Sequence, residues 1–151
     1  EGNLDKARIE LRNALQIDPN DANARYLSGL IAEQQDNIRQ AAGHYRATLD
    51  IEAGHVDARA NLARIHVLAG LPNEAIVIVE EGLEAAENKA SLLAVRGAAR
   101  AQLREADLAL EDAEAALHLD GIELQIRPDR RPVDVRRLQD GSRREVDRVY
   151  Q

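Results

Sequence analysis

The stretch ALQIDP occupies residues 14–19, and the similar stretch ALHLDG occupies residues 116–121. Both follow the pattern Ala-Leu-x-aliphatic-Asp, both end in a residue that breaks helices, and their starts lie 102 residues apart. Because 102 is three times 34, a 34-residue repeat predicts related stretches at two places between them, where the chain reads TLDIEA (48–53) and GLEAAE (82–87). All four stretches keep a leucine, at Leu15, Leu49, Leu83 and Leu117. The recurrence indicates a chain built from repeats of 34 residues.

Other positions recur with the same period. One column holds only alanine, at Ala7, Ala41, Ala75 and Ala109. Two more columns hold only small residues, at Ala14, Thr48, Gly82 and Ala116 and at Gly29, Ala63 and Gly97. Within each repeat these positions are spaced as on one face of an α-helix. Because bulky side chains keep helix axes apart, each repeat is predicted to be two helices that cross at small residues.

Residues that end helices fall between the helical stretches. Gly70 supplies the left-handed conformation that ends a helix, and Pro72 stands where a new helix tolerates a missing N–H. Pro19 ends the first helical stretch, and Asn20 or Asp21 is expected to cap the next one. The first helices of the repeats are therefore expected at roughly residues 22–35, 57–69 and 90–103.

A 34-residue helical hairpin with a small eighth residue, alanine at position twenty and proline near position thirty-two resembles the tetratricopeptide repeat. The resemblance covers residues 1–121, and residues 7–30 are similar to bacterial repeat proteins of exopolysaccharide and protein-sorting systems. It implies an all-α fold, a right-handed α-solenoid of antiparallel helix pairs with about three and a half repeats. The usually large fourth position departs from the pattern, since it holds Arg25, Arg59 and Leu93. In two repeats the turn position holds Asp36 or Arg104 instead of glycine. At Arg104, a single bent helix is therefore an alternative to a turn between two helices.

The repeat register divides the chain into five segments. Residues 1–21 supply only the second helix of a truncated repeat. Three full repeats are expected at residues 22–55, 56–89 and 90–121, followed by an irregular Arg-rich tail at residues 122–151. The tail contains the capping pattern SRRE, which favours a short helix, and an Asp-Gly turn between β-branched segments, which favours a hairpin. We expect self-association through the truncated N-terminal helix or the tail, because the apolar face of that helix lacks a partner.

Composition restricts the class of protein. The 151 residues include 44% hydrophobic but only 2% aromatic residues, no cysteine, and a net charge of −7. Residues 121–151 hold eight Arg and six acids, so the acidic excess lies in residues 1–120. An acidic body argues against nucleic acid as the main partner, and the longest apolar run there, AIVIV (75–79), is too short to cross a bilayer. Bacterial cytoplasm and periplasm both stay open.

The residues that usually carry chemistry are sparse. None of Ser28, Ser91 and Ser142 stands in a nucleophile-elbow setting. Three of the four histidines fall on three different elements or loops, without the spacing of metal ligands. We therefore expect no enzyme activity, no catalytic residue, no cofactor and no metal.

The resemblance implies a concave groove, lined by the first helix of each repeat, that binds a protein or peptide. The positions that carry the expected contacts are Tyr26, Leu30, Glu33, Gln34, Arg64, Val67, Leu68 and Gln102. Tyr26 is expected to be an apolar anchor, and Arg64, the only cation at these positions, is expected to pair with an acidic group of the ligand. The function expected is a non-catalytic interaction scaffold. The alternative is a regulatory or substrate-docking domain of a larger enzyme.

Overall fold

A computed structural model describes the backbone of residues 2–119 and the side chains from Asn3 onward. This part of the chain forms seven α-helices and contains no β-strand. The helices are α1 (Gly2–Ile17), α2 (Ala22–Gln34), α3 (Ile38–Ile51), α4 (Val56–Leu68), α5 (Pro72–Leu83), α6 (Ala90–Gln102) and α7 (Ala106–Leu119). Helices α2 and α3, α4 and α5, and α6 and α7 pack as pairs, and adjacent pairs pack on each other. The fold is an all-α solenoid of helix pairs, as predicted.

Polar side chains cap the helices that begin the first two pairs. The carboxylate of Asp21 accepts a hydrogen bond of 2.8 Å from the backbone N–H of Ala24, so Asp21 and not Asn20 caps α2. The Nδ1 atom of His55 accepts one of 3.2 Å from the N–H of Ala58 and caps α4. Each cap satisfies an N–H group that a helix start leaves without a partner. These caps fix where the first helices begin.

The turn inside each pair is built the same way three times. Asp36, Gly70 and Arg104 all adopt positive φ angles, of 59°, 74° and 62°. The residue after each turn donates its N–H to a carbonyl five residues earlier, at Ala32, His66 and Arg100. This pattern satisfies carbonyl groups at the end of a helix. The alternative of a bent helix at Arg104 is therefore wrong, since α6 ends at Gln102 and α7 begins at Ala106.

The first helix crossing depends on a glycine packed against a tyrosine. Tyr45 of α3 is fully buried, and its ring lies directly against Gly29 of α2. A Cβ atom at position 29 would lie 2.5 Å from Cε1 of Tyr45, closer than carbon atoms approach. The missing side chain therefore makes room for the largest fully buried residue of the core.

A buried arginine of α4 packs against α5 in the second pair. The guanidinium of Arg59 donates to the carbonyl oxygens of Ala53 (2.8 Å) and Ile78 (2.9 Å) and to the carboxylate of Glu81. The Arg59 side chain passes so close to Gly82 that a Cβ atom there would collide with it. A buried charge is tolerated when it is paired and hydrogen-bonded. The repeat can therefore have an arginine at its fourth position because the residue beside the arginine side chain, Gly82, is small.

The third pair is joined by a buried ion-pair network. Asp112 of α7 is 3% exposed, and it accepts hydrogen bonds from both Arg96 and Arg100 of α6 at 2.7 to 3.0 Å. Nearby, Gly97 lets the helices approach, because a Cβ atom there would lie 3.2 Å from the carbonyl oxygen of Ala109. Gly29 and Gly97 therefore both lie at close helix crossings, as predicted.

Three sequence predictions have no structural test. The capping helix or hairpin expected at residues 122–151 lies outside the described residues. The repeat boundaries and the expected self-association stay predictions, although Ile9 and Ile17 of α1 are exposed.

No described helix combines the length and the apolar character that crossing a membrane requires.

Candidate functional site

A single carboxylate joins three helices on the face that carries the predicted groove residues. Glu33 of α2 accepts a hydrogen bond from the hydroxyl of Tyr45 in α3 at 2.8 Å. Its other oxygen accepts a hydrogen bond from the guanidinium of Arg64 in α4. Glu33 and Arg64 lie 31 residues apart in the sequence, so this contact crosses from one helix pair to the next.

The same contacts shift the proton affinities of the two acidic groups. Burial acts to raise the pKa of Glu33, but the hydrogen bonds from Arg64 and Tyr45 outweigh it and lower that pKa below its ordinary value. Burial, together with the hydrogen bond to the Glu33 carboxylate, raises the pKa of Tyr45 above its ordinary value. Near neutral pH, Glu33 is therefore a carboxylate and Tyr45 a neutral donor.

Tyr26 is a half-buried aromatic residue held between two other rings. Its centroid lies 4.6 Å from that of His55 and 5.9 Å from that of Tyr45, both tilted by 42°. Such offset contacts are favourable for aromatic pairs. Burial and the charge of Asp57 raise the pKa of the Tyr26 hydroxyl. The ring is thus fixed in place while part of it stays accessible to a partner.

Of the other predicted apolar residues, Leu68 is accessible, Leu30 is partly covered and Val67 is not accessible. Leu68 is 73% exposed at the end of α4, and Leu30 is half-buried against the core around Tyr45. Val67 is only 8% exposed and belongs to the core between α4, α5 and α6. Val67, expected to contact a ligand in the groove, is therefore covered, because α6 packs against α4.

The polar residues predicted for the rim also differ in their environment. Gln34 is exposed at the end of α2. Gln102 donates a hydrogen bond of 3.0 Å from Nε2 to the carbonyl oxygen of Val67, so it links α6 to α4. Arg64, expected to pair with an acidic group of the ligand, is paired with Glu33 within the chain. The pairing follows from position, since the two residues face each other on neighbouring first helices.

Two residues that support this group of side chains were not identified from the sequence. His55 was passed over because a lone histidine in a loop carries no motif, yet it caps α4 and stacks on Tyr26. Tyr45 was not identified from the sequence either, yet its hydroxyl donates a hydrogen bond to Glu33 and orients it. Among residues 2–119, no group of three or more His, Cys, Asp or Glu side chains is placed to hold a metal ion. The surface carries a partly accessible aromatic ring at Tyr26, an exposed leucine at Leu68 and the ion pair of Glu33 with Arg64.

Comparisons with known proteins identify the repeat. A family model described as tetratricopeptide repeat matches residues 32–99. The chain is similar in structure to PilW, described as a widely conserved type IV pilus biogenesis factor, with a TM-score of 0.70 and 16% identity over 79% of the chain. It is also similar to MamA, with a TM-score of 0.67 and 19% identity over 78% of the chain. It spans 56% of the PilW chain and 64% of the MamA chain.

The search of curated protein sequences gave no match. At these identities the two solved structures establish the fold alone. The matched region identifies tetratricopeptide repeats in residues 32–99, and the three helix pairs with the same turn have the corresponding fold.

Proposed function

We propose that this chain is a protein-interaction scaffold that binds a peptide segment on the surface formed by Tyr26, Leu30, Glu33, Arg64 and Leu68. The tetratricopeptide-repeat fold in general serves protein–protein interaction, and stacked repeats create extended binding surfaces. Both the peptide ligand and its position on this chain are proposals. The observation that supports it is the Tyr26 ring, which His55 and Tyr45 hold in place while it stays partly accessible.

The apolar part of the surface provides the main driving force. A rigid aromatic ring loses little conformational entropy on binding, and such rings are frequent among the residues that dominate binding energy. Leu68 is exposed on the neighbouring first helix, so a bound segment that covers it removes apolar area from water. An apolar side chain of the ligand is expected to contact Tyr26, and another to contact Leu68.

The ion pair between Glu33 and Arg64 determines which charged groups of a ligand this surface would bind. The Arg64 side chain is 40% exposed, so a ligand reaches the guanidinium without displacing the helices. A guanidinium has several donors in one plane and can pair with two carboxylates. A ligand carboxylate would therefore share Arg64 with Glu33, whereas a ligand cation would approach Glu33. The first arrangement is favoured, because both acceptor oxygens of Glu33 already have donors.

The experiment is a selection of peptides from a displayed library on the whole 151-residue chain, followed by titration calorimetry with the selected peptide. Tyr26→Ala should weaken binding by about 2 kcal/mol or more, as expected of a dominant contact residue. Val77→Ala is the matched control, since Val77 is an exposed apolar residue on α5, a second helix. If Val77→Ala weakens binding as much as Tyr26→Ala, the peptide does not bind at this surface.

A further inference from the structure

A second concave site lies between α1, α2 and α3. It is a cleft of about 200 Å³ lined by both apolar and polar residues. The apolar lining residues, here called the floor, are Leu11, Leu15, Ile31 and Ala32, and the polar lining residues, here called the rim, are Arg8, Arg12, Ser28, Gln35, Gln40 and His44. Because a helix turns about 100° per residue, residues 28, 31 and 35 lie on the face of α2 opposite to Tyr26, Leu30 and Glu33. The cleft is therefore separate from the proposed peptide surface.

Large apolar residues occupy the corresponding junction one repeat later, between α3, α4 and α5. The residues that lie 34 positions after Leu11, Ser28 and His44 are Tyr45, Leu62 and Ile78. Tyr45 and Leu62 are buried in one core cluster, and Ile78 packs against it. The cleft thus exists because smaller or polar residues stand where the next repeat has large apolar ones. The repeat pattern alone would have filled it.

The rim carries only positive or neutral groups. No Asp or Glu is among the described residues that line the cleft, although the whole chain has a net charge of −7. Arg8 makes an exposed ion pair of 3.2 Å with Asp5, whereas Arg12 forms none with any described residue. Burial and the positive charge of Arg25 lower the pKa of His44, which favours its neutral form. Because the lining contains two arginines and no carboxylate, the cleft favours anions.

We propose that this cleft is a second binding site, which takes an acidic peptide segment with one aliphatic side chain. The aliphatic side chain would lie on Leu11, Leu15 and Ile31, and the flanking carboxylates would pair with Arg12 and Arg8. Charge complementarity with the rim selects an acidic segment, and the apolar floor selects the aliphatic residue between the charges. The site adds to the proposed peptide surface and does not depend on it.

The probe is a fluorescein-labelled, C-terminally amidated peptide Glu-Glu-Leu-Glu-Glu, titrated with the whole chain at low ionic strength by fluorescence anisotropy. We expect saturable binding that weakens with added salt, because exposed charge pairs are screened. A peptide with Gln in place of every Glu should bind at least about tenfold more weakly. If the two peptides bind alike, or neither binds, the proposal is overturned.

Three variants locate the site. Arg12→Gln should weaken binding of the acidic probe about tenfold, whereas Arg46→Gln, an exposed arginine 34 residues later in the repeat, should not. The double change Ser28→Leu and His44→Ile copies the filled junction and should abolish binding, with helical circular dichroism as the test that the variant is folded. Val77→Ala, a change of an exposed apolar residue on α5, should leave probe binding unchanged. Equal losses for Arg12→Gln and Arg46→Gln, or a loss for Val77→Ala, would place the probe elsewhere.

Discussion

Arg64 donates a hydrogen bond to the carboxylate of Glu33, and the hydroxyl of Tyr45 donates to the other oxygen of the same group. One carboxylate thereby connects α2, α3 and α4, that is, both helices of one pair and the first helix of the next. The contact is part of the structure of the array and also part of its proposed binding surface. Its effects on stability and on binding can be measured separately.

The first prediction concerns the pH dependence of stability. The pKa of Glu33 is lower in the folded chain than its ordinary value of 4.5. The stabilisation is therefore complete above the unfolded pKa and is lost as the pH falls through the folded pKa. Urea unfolding at about pH 7 and about pH 3.5 should show that Glu33→Gln reduces the loss of unfolding free energy on acidification. Glu84→Gln, an exposed acid on the chain just after α5, should not reduce it.

The second prediction concerns the crossing of α2 and α3. Gly29→Ala should lower the free energy of unfolding by about 1 to 3 kcal/mol, because the new methyl group overlaps the ring of Tyr45. The ring has no room to move, since it is fully buried and its hydroxyl is bound to Glu33. The control is Gly43→Ala in α3, where a Cβ atom meets nothing within 4 Å. That change should stabilise the chain by about 0.5 to 1 kcal/mol. Similar effects of the two changes would contradict the packing argument.

The sequence predicted the helices well because their signals are local and repeated. The starts of α2, α4 and α6 fall within one residue of the expected starts, since caps and small columns recur every 34 residues. The turn at Arg104 was harder to predict. An arginine with a φ of 62° is locally unfavourable. It adopts this angle because packing of α6 on α7 fixes the turn, and no local residue preference contains that information.

The third prediction concerns the ion pairs of the third helix pair. Asp112→Asn should lower the free energy of unfolding by about 3 kcal/mol, because it leaves Arg96 and Arg100 without their shared buried carboxylate. Glu111→Gln removes an acid at the neighbouring exposed position of α7 and should change stability by less than about 0.5 kcal/mol. Urea unfolding followed by circular dichroism measures both. Equal effects would show that burial of Asp112 does not matter.

The candidate site was predicted only in part, because side chains from different repeats determine which residues stay accessible. The family pattern placed Tyr26, Leu68 and Arg64 at the groove positions, but it contained nothing about their neighbours. Val67 is covered by α6, and Arg64 is paired with an acid 31 residues earlier. The cleft beside His44 was not predicted. The histidine was considered only as a possible metal ligand, and not as a polar residue that leaves space between helices where the next repeat has an apolar one.

The last prediction concerns the role of the Glu33–Arg64 pair in binding. If a ligand carboxylate shares Arg64 with Glu33, the two acids repel each other, so Glu33→Gln should strengthen the binding of an acidic selected peptide. Arg64→Glu should weaken it and reverse its salt dependence, because added salt then screens a repulsion instead of an attraction. Glu84→Gln controls for the change in net charge and should have little effect. Titration calorimetry at two salt concentrations measures all three variants. Weaker binding to Glu33→Gln would mean that Glu33 itself contacts the ligand or that its loss disorders the surface, and circular dichroism and urea unfolding of the variant separate these two results.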